Sequence, residues 1–126
     1  MQKEIILTTL APAPIGPYSQ AVQAGNLLFV SGQIALNPTT GNLETSDIET
    51  ETHQVMTNLQ AVLQAAGMNF SNIVKTTIFL KSMNDFARVN AVYGLYFSGE
   101  FPARETVEVV RLPKDVGVEI SAVAAK

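Results

Sequence analysis

One arginine and one glutamate stand out in this chain because of the company they keep. Arg104 follows Phe101, Pro102 and Ala103, and Glu119 sits between Val118 and Ile120. Most charged side chains are solvated, and an ion pair bracing two strands is the ordinary role for two opposite charges. Apolar neighbours are poor surroundings for a solvated charge, however. Residues 101–120 read as a strand, a turn and a second strand. Two opposite charges in two apolar strands joined by a short turn can face the same cleft. There the planar fork of Arg104 could hold a carboxylate through two parallel hydrogen bonds. Glu119, ionised, could take a proton from water and orient its attack. The two groups need only reach one substrate, and a tight direct pair would favour the bracing role instead.

Little else in the composition competes for chemistry. There is no cysteine, so no disulfide, thiolate nucleophile or cysteine-based metal site is available. The single histidine, His53, cannot build a zinc site alone, falls in the polar first part of a predicted helix and is assigned no chemistry. A net charge of −3, with no run of Lys or Arg, lacks the footprint of a nucleic-acid binder. Length points to one domain spanning residues 1–126, enough to bury roughly two-thirds of its unfolded surface. Only 15% of residues are charged against 47% hydrophobic, which suggests surface buried against another subunit. No segment reaches membrane-spanning length, and the N-terminal apolar run is short for a signal peptide, so a soluble cytoplasmic protein is expected.

The elements that must position Arg104 and Glu119 follow from periodicity. Residues 4–7 form a short strand, and Pro12, Pro14, Gly16 and Pro17 then fix an ordered loop carrying Tyr18. Tyr18 is either a packing anchor or a hydroxyl aimed at a ligand. Residues 20–24 and 27–34 flank Gly25-Asn26 as a β-hairpin. The run Leu27-Leu28-Phe29-Val30 predicts burial on both faces, and Gly32 after Ser31 permits close backbone approach. Residues 48–66 carry the stripe Val55, Leu59, Val62, Ala66 of a helix, stopped by Gly67. Residues 72–80 alternate as a strand. A second helix runs from Asn84 or Asp85, as N-cap, to about Phe97, with Asn90 beside its apolar stripe. Strands 103–110 and 118–124 complete a βββαβαββ order. Two helices on one face of a mixed sheet make a two-layer α+β domain. The other sheet face is left bare and apolar, which implies association.

Several separated stretches together resemble one known family. They are Ala13-Pro14-Ile15-Gly16-Pro17-Tyr18-Ser19-Gln20, Ser31-Gly32-Gln33-Ile34, Val74-Lys75-Thr76-Thr77-Ile78, residues 84–90, Phe101-Pro102-Ala103-Arg104, Leu112-Pro113-Lys114-Asp115 and Val118-Glu119-Ile120. In this order they resemble the RidA (YjgF/YER057c/UK114) family of enamine/imine deaminases. The resemblance implies a chorismate-mutase-like (bacillus type) fold and a homotrimer whose sheets pack around the three-fold axis. It implies active sites in clefts between subunits, no cofactor and no metal. The implied reaction is hydrolysis of 2-aminoacrylate, 2-aminocrotonate and similar products of pyridoxal-phosphate enzymes to 2-keto acids and ammonia. By the same resemblance, Arg104 holds the substrate carboxylate and Glu119 positions the water. Tyr18, Ser31, Gly32, Phe86 and Asn90 shape the pocket. Many deaminating members carry a cysteine where this chain has Thr106. An imine carbon is already electrophilic, so that substitution bears on pocket shape and thiol reactivity more than on turnover.

Two other functions are weighed beside the enzyme. One is a non-catalytic protein that binds small carboxylates such as 2-keto acids through the Arg104 pocket. The other is an endoribonuclease or translation inhibitor, an activity attached to some relatives. The acidic charge and the lack of a histidine pair count against the latter. No nucleic-acid or membrane partner is expected.

Overall fold

The computed structural model describes residues 2–126. Three strands come first: β1 (Lys3–Ile6), β2 (Ala21–Ala24) and β3 (Leu27–Gln33). Helix α1 (Ile48–Ala65), strand β4 (Ile73–Leu80), helix α2 (Phe86–Tyr93) and strands β5 (Ala103–Glu108) and β6 (Val118–Ala125) follow. This is the expected βββαβαββ order. The six strands form one mixed sheet in the order β1-β2-β3-β6-β4-β5. Among the described residues only β4 and β5 pair parallel, so β4, α2 and β5 form a βαβ crossover. Strands β3 and β4 are both antiparallel to β6, which lies between them.

Each element has a local cause. The predicted hairpin turns at Gly25, whose φ of 62° suits glycine. At the start of α1 the Asp47 carboxylate accepts the Thr50 N–H at 2.7 Å, a cap worth about 1 kcal/mol. Val55, Met56, Leu59, Val62 and Leu63 line its buried face, and Gly67, at φ 73°, ends it. Strand residues on the helix-facing side are buried: Leu28 and Val30 in β3, Thr76, Ile78 and Leu80 in β4, and Val118, Ile120, Ala122 and Ala124 in β6. Each large apolar side chain so buried contributes about 1.5–3 kcal/mol.

Three expectations need correction. Leu27-Leu28-Phe29-Val30 is not buried on both faces: Leu28 and Val30 are buried, but Leu27 is 37% and Phe29 46% exposed. Both helices cover one face, so alternate residues of the run point away from them. The second helix is shorter than expected, with 3-10 turns at Met83–Asp85 and Gly94–Tyr96 on either side of α2. Asp85 holds the N-cap position of α2, as expected, but its side chain makes no capping hydrogen bond. Ser82 Oγ accepts the Asn84 N–H, while the Asp85 carboxylate is taken by Arg88 at 2.6 Å. Finally, β5 and β6 are not neighbours, because β4 runs between them.

The face turned away from the helices carries an apolar row of Ile5, Val22, Phe29 and Val123 across β1, β2, β3 and β6. Beside it lies a polar row, Ser121, Thr77 and Glu105. There Glu105 accepts from Thr77 Oγ1 at 2.9 Å and pairs with Lys75 at 3.1 Å. No helix among the described residues is long and apolar enough to cross a membrane.

Candidate functional site

Arg104 lies on β5 opposite Thr76 of β4, which lies opposite Ala122 of β6. Side chains paired in this way share a sheet face, so Arg104 belongs to the helix-facing side. There Arg104 Nη1 donates to Asn90 Oδ1 at 2.8 Å. The guanidinium carbon sits 5.2 Å from the Tyr93 ring centroid and 5.7 Å from that of Phe86. Cationic contacts of this kind with aromatic faces hold the flat group in place. Phe86, Asn90 and Tyr93 all come from α2, at spacings of four and three, so one helix face supplies all three. The Tyr93 hydroxyl is in turn hydrogen-bonded to Thr76 Oγ1 at 2.7 Å, in the core. Burial pushes the Tyr93 phenol further above its ordinary range, against the opposing influence of Thr76 and Arg104, so it stays neutral. Asn90, Tyr93, Gly94, Phe101, Pro102 and Arg104 line a cleft of about 440 Å³.

Thr106 follows two residues along β5 and therefore shares the face of Arg104. Its Oγ1 is buried and has no hydrogen-bond partner among the described residues. An orphan hydroxyl of this kind is uncommon in a folded protein, and it sits beside the arginine.

Glu119 belongs to the other side of the sheet. It is three residues from Ala122 on the same strand, so its side chain points away from the helices, opposite Phe79. A second cleft, of about 490 Å³, is lined by Ile15, Tyr18, Ser31, Gly32, Ile34, Pro113, Lys114 and Glu119. The Glu119 carboxylate lies directly over Gly32, and a Cβ at residue 32 would collide with it. This is the close approach that Gly32 was expected to permit. Burial alone pushes the Glu119 carboxyl above its ordinary value.

The walls of this second cleft are loops held by backbone hydrogen bonds. Gln20, buried, donates from Nε2 to the carbonyls of Thr8 and Pro12 at 3.0 and 2.8 Å, and its Oε1 accepts the Thr8 N–H at 2.8 Å. Ser31 Oγ donates to the Ser19 carbonyl at 2.6 Å, which joins β3 to the loop bearing Tyr18. Tyr18 itself is exposed, and its hydroxyl accepts a long bond from the Ile15 N–H at 3.4 Å. Lys114 and Asp115 both adopt left-handed backbone, at φ 56° and 57°. Such consecutive strain in non-glycine residues persists only where the surroundings hold it.

Arg104 and Glu119 thus do not face one cleft within a chain, as the strand-turn-strand reading allowed. A strand separates them, and they project from opposite faces of the sheet. Nor do they brace each other. The ion pairs among the described residues are Lys75–Glu105, Arg88 with Glu49 and Asp85, and Arg111–Asp115. Of the sequence-predicted residues, Phe86, Asn90 and Thr106 gather on the Arg104 side. Tyr18, Ser31 and Gly32 gather on the Glu119 side. His53 is exposed, with Nδ1 at 2.7 Å from the Tyr96 hydroxyl. No group of three or more His, Asp or Glu side chains among the described residues is placed to hold a metal ion.

Three contributors were missed by sequence reasoning. Tyr93 did carry a readable signal, since its helical spacing from Phe86 and Asn90 puts it on their face. Lys114 was read as part of a turn. Gln20 was read as the start of a strand, and nothing in its type foretold that it would pin a loop.

Comparison with known proteins covers nearly the whole chain. A family model described as Endoribonuclease L-PSP matches residues 8–126. A RutC family protein from Pyrococcus horikoshii is 54% identical over 124 residues, covering 98% of each chain. The 2-iminobutanoate/2-iminopropanoate deaminase of Mus musculus is 47% identical over 124 residues, covering 98% of this chain and 92% of the mouse protein. A crystal structure of a Rid family protein from Yersinia pestis superposes with a TM-score of 0.96 at 50% identity, covering 99% of this chain and 100% of that one.

Proposed function

This chain belongs to the endoribonuclease L-PSP family, the RidA/YjgF family, and from that premise we propose that it deaminates short 2-enamine and 2-imino acids by hydrolysis. The products are the 2-keto acid and ammonia. The observation that carries the reading is the condition of the two charged groups. Arg104 is oriented by Asn90, Phe86 and Tyr93 but paired with no carboxylate among the described residues, and Glu119 is half-buried in its own cleft. A fixed, uncompensated guanidinium fits a ligand carboxylate. A half-buried carboxyl that faces a cleft and whose pKa is raised by burial fits proton exchange with a bound water.

In this mechanism the enamine first tautomerises to the imine. Arg104 holds the substrate carboxylate in its fork. Glu119 takes a proton from water while the water oxygen bonds to the imine carbon, and the C=N electron pair moves to nitrogen. The proton held by Glu119 is then passed to the nitrogen. Glu119 then carries the proton of the new hydroxyl to the same nitrogen as the C–N bond breaks, so ammonia leaves and the former water oxygen becomes the keto group.

Because Arg104 and Glu119 leave one chain from opposite sides, one substrate meets both only where two copies adjoin. We place the site between subunits of a homotrimer of chorismate-mutase-like chains, with the row Ile5, Val22, Phe29 and Val123 covered by neighbours. A nuclease reading has less behind it: the only histidine is engaged with Tyr96, and there is no basic run. The test is hydrolysis of 2-aminoacrylate generated in place by a threonine/serine dehydratase, with wild type and Arg104→Ala side by side. Faster decay with wild type only is expected. If neither protein speeds decay while wild type still binds 2-ketobutyrate, the pocket is a carboxylate-binding module and the enzyme reading is wrong.

A further inference from the structure

The buried carboxylate of Glu51 has no part in the chemistry above, yet it reaches the strand that carries Glu119. Glu51 lies in the first turn of α1 and is 4% exposed. Its Oε2 accepts two backbone N–H groups, from Gly117 at 2.6 Å and Val118 at 3.0 Å. Strand β3 makes its last pairing at Gln33 with Ile120, so it offers nothing to Gly117 or Val118. Glu51 fills that role from the helix layer. The approach is close: a Cβ at residue 117 would stand 3.1 Å from Glu51 Oε1 and 3.1 Å from Ile48 Cδ1. On the β4 side the Gly117 carbonyl accepts the Lys81 N–H at 3.0 Å. The Gly117 peptide is therefore held from both directions, two residues after the left-handed Asp115 and two residues before Glu119.

We propose that Glu51 is a positioning residue for Glu119, acting through the backbone of Gly117 and Val118. A carboxylate buried only to support a strand end is costly, because burial works against its charge. Here burial does push the Glu51 carboxyl up, the negative charge of Asp85 adds to it, and the two N–H donors oppose it. What the grip secures is the start of β6, whose second residue is Glu119, and so where the Glu119 carboxylate lies over Gly32. Lys114, which lines the same cleft, hangs from the same turn. The charge of Glu51 is not required for this, only an acceptor at the position of Oε2. This inference rests on the hydrolytic reading, in which Glu119 handles the water.

The test compares Glu51→Ala, Glu51→Gln and Gly117→Ala with wild type by three measurements. These are kcat for 2-aminoacrylate hydrolysis, Kd for 2-ketobutyrate, and the titration of the Glu119 carboxyl by carbon NMR. In Glu51→Ala, kcat should fall on the order of 10- to 100-fold, the usual consequence of a small misplacement of a reacting group. Kd, set by Arg104, should stay within about twofold, and the Glu119 carboxyl should titrate nearer the ordinary carboxylate range. Glu51→Gln keeps an acceptor and should behave as wild type. Should Glu51→Ala fail to fold, Gly117→Ala disturbs the same contact more gently and should show the same split between kcat and Kd. An unchanged Glu119 titration and unchanged kcat in a folded variant would overturn the proposal, as would a glutamine as damaging as alanine. A wild type with no hydrolysis, but a Glu119 titration that moves in Glu51→Ala, leaves the positioning role intact and removes the hydrolytic reading instead.

Discussion

The Arg104 cleft and the Glu119 cleft are built by different means. The first is assembled from side chains on regular elements: three residues of one helix face and one of β4 fix a guanidinium on β5. The second is assembled from backbone: a glycine without a side chain, a left-handed turn, and loops pinned by Gln20 and Ser31. A group that must bind a charged ligand tightly gains from a rigid frame. A group that must approach water and change protonation sits where loops close around it. In the proposed enzyme the two clefts should fail differently, through affinity on one side and through turnover on the other.

The sharpest break in that contrast is at Gly32. Gly32→Ala places a methyl where the Glu119 carboxylate now lies. Turnover should fall about 10²- to 10⁴-fold, the range for losing a positioned acid/base group. The affinity for 2-ketobutyrate should be kept. Steady-state kinetics with titration calorimetry would show this. Equal losses in both quantities would erase the distinction between the clefts.

A second effect is read in pH. Burial raises the Glu119 carboxyl above the ordinary carboxylate range. Turnover should therefore rise with pH as the carboxylate form appears, and Glu119→Gln should flatten the profile. Stability should run the other way. The folded state binds this proton more tightly than the unfolded state. Stability therefore falls as pH climbs from the ordinary carboxylate range through the raised value, and is level beyond it. Melting temperatures of wild type and Glu119→Gln across that window check the sign. Glu51 is raised in the same sense but is present in both proteins, so the difference isolates Glu119.

The smallest effect belongs to the Arg104 side. Tyr93→Phe keeps the ring under the guanidinium but removes the partner of the buried Thr76 hydroxyl. It should cost about 1–3 kcal/mol of stability. KM should rise a few-fold, by roughly the worth of one net hydrogen bond, with kcat nearly unchanged. Chemical denaturation and Michaelis kinetics measure the two.

Much of this architecture could be read from residue pattern. The element order, the Gly25-Asn26 turn and the span of α1 follow from local signals that need no tertiary context. Strand order is different. Periodicity shows which residues of a strand share a face, but the turn between residues 108 and 118 interrupts the count. Nothing local says that β4 will come between β5 and β6. The missing capping bond of Asp85 has a similar cause, since Arg88 takes the carboxylate. Gln20 and Glu51 were illegible for another reason. Their partners are backbone N–H and carbonyl groups, which every residue has, so no pattern of side chains announces them. The residues grouped around Arg104 and Glu119 were legible by type, while their division between two sides of a sheet was not.

That division changes what counts as the working unit. On the proposed assembly, each polypeptide owns two half-tools and no whole one. Specific activity is then a property of the association equilibrium and not of the chain alone. Dilution below the dissociation threshold would silence molecules that remain fully folded. A subunit that assembles normally but lacks its arginine would deprive a neighbour of a carboxylate anchor while still lending its glutamate elsewhere. On that assembly the opposed faces of one sheet would turn a small proposed catalyst into a partnership with division of labour among identical members.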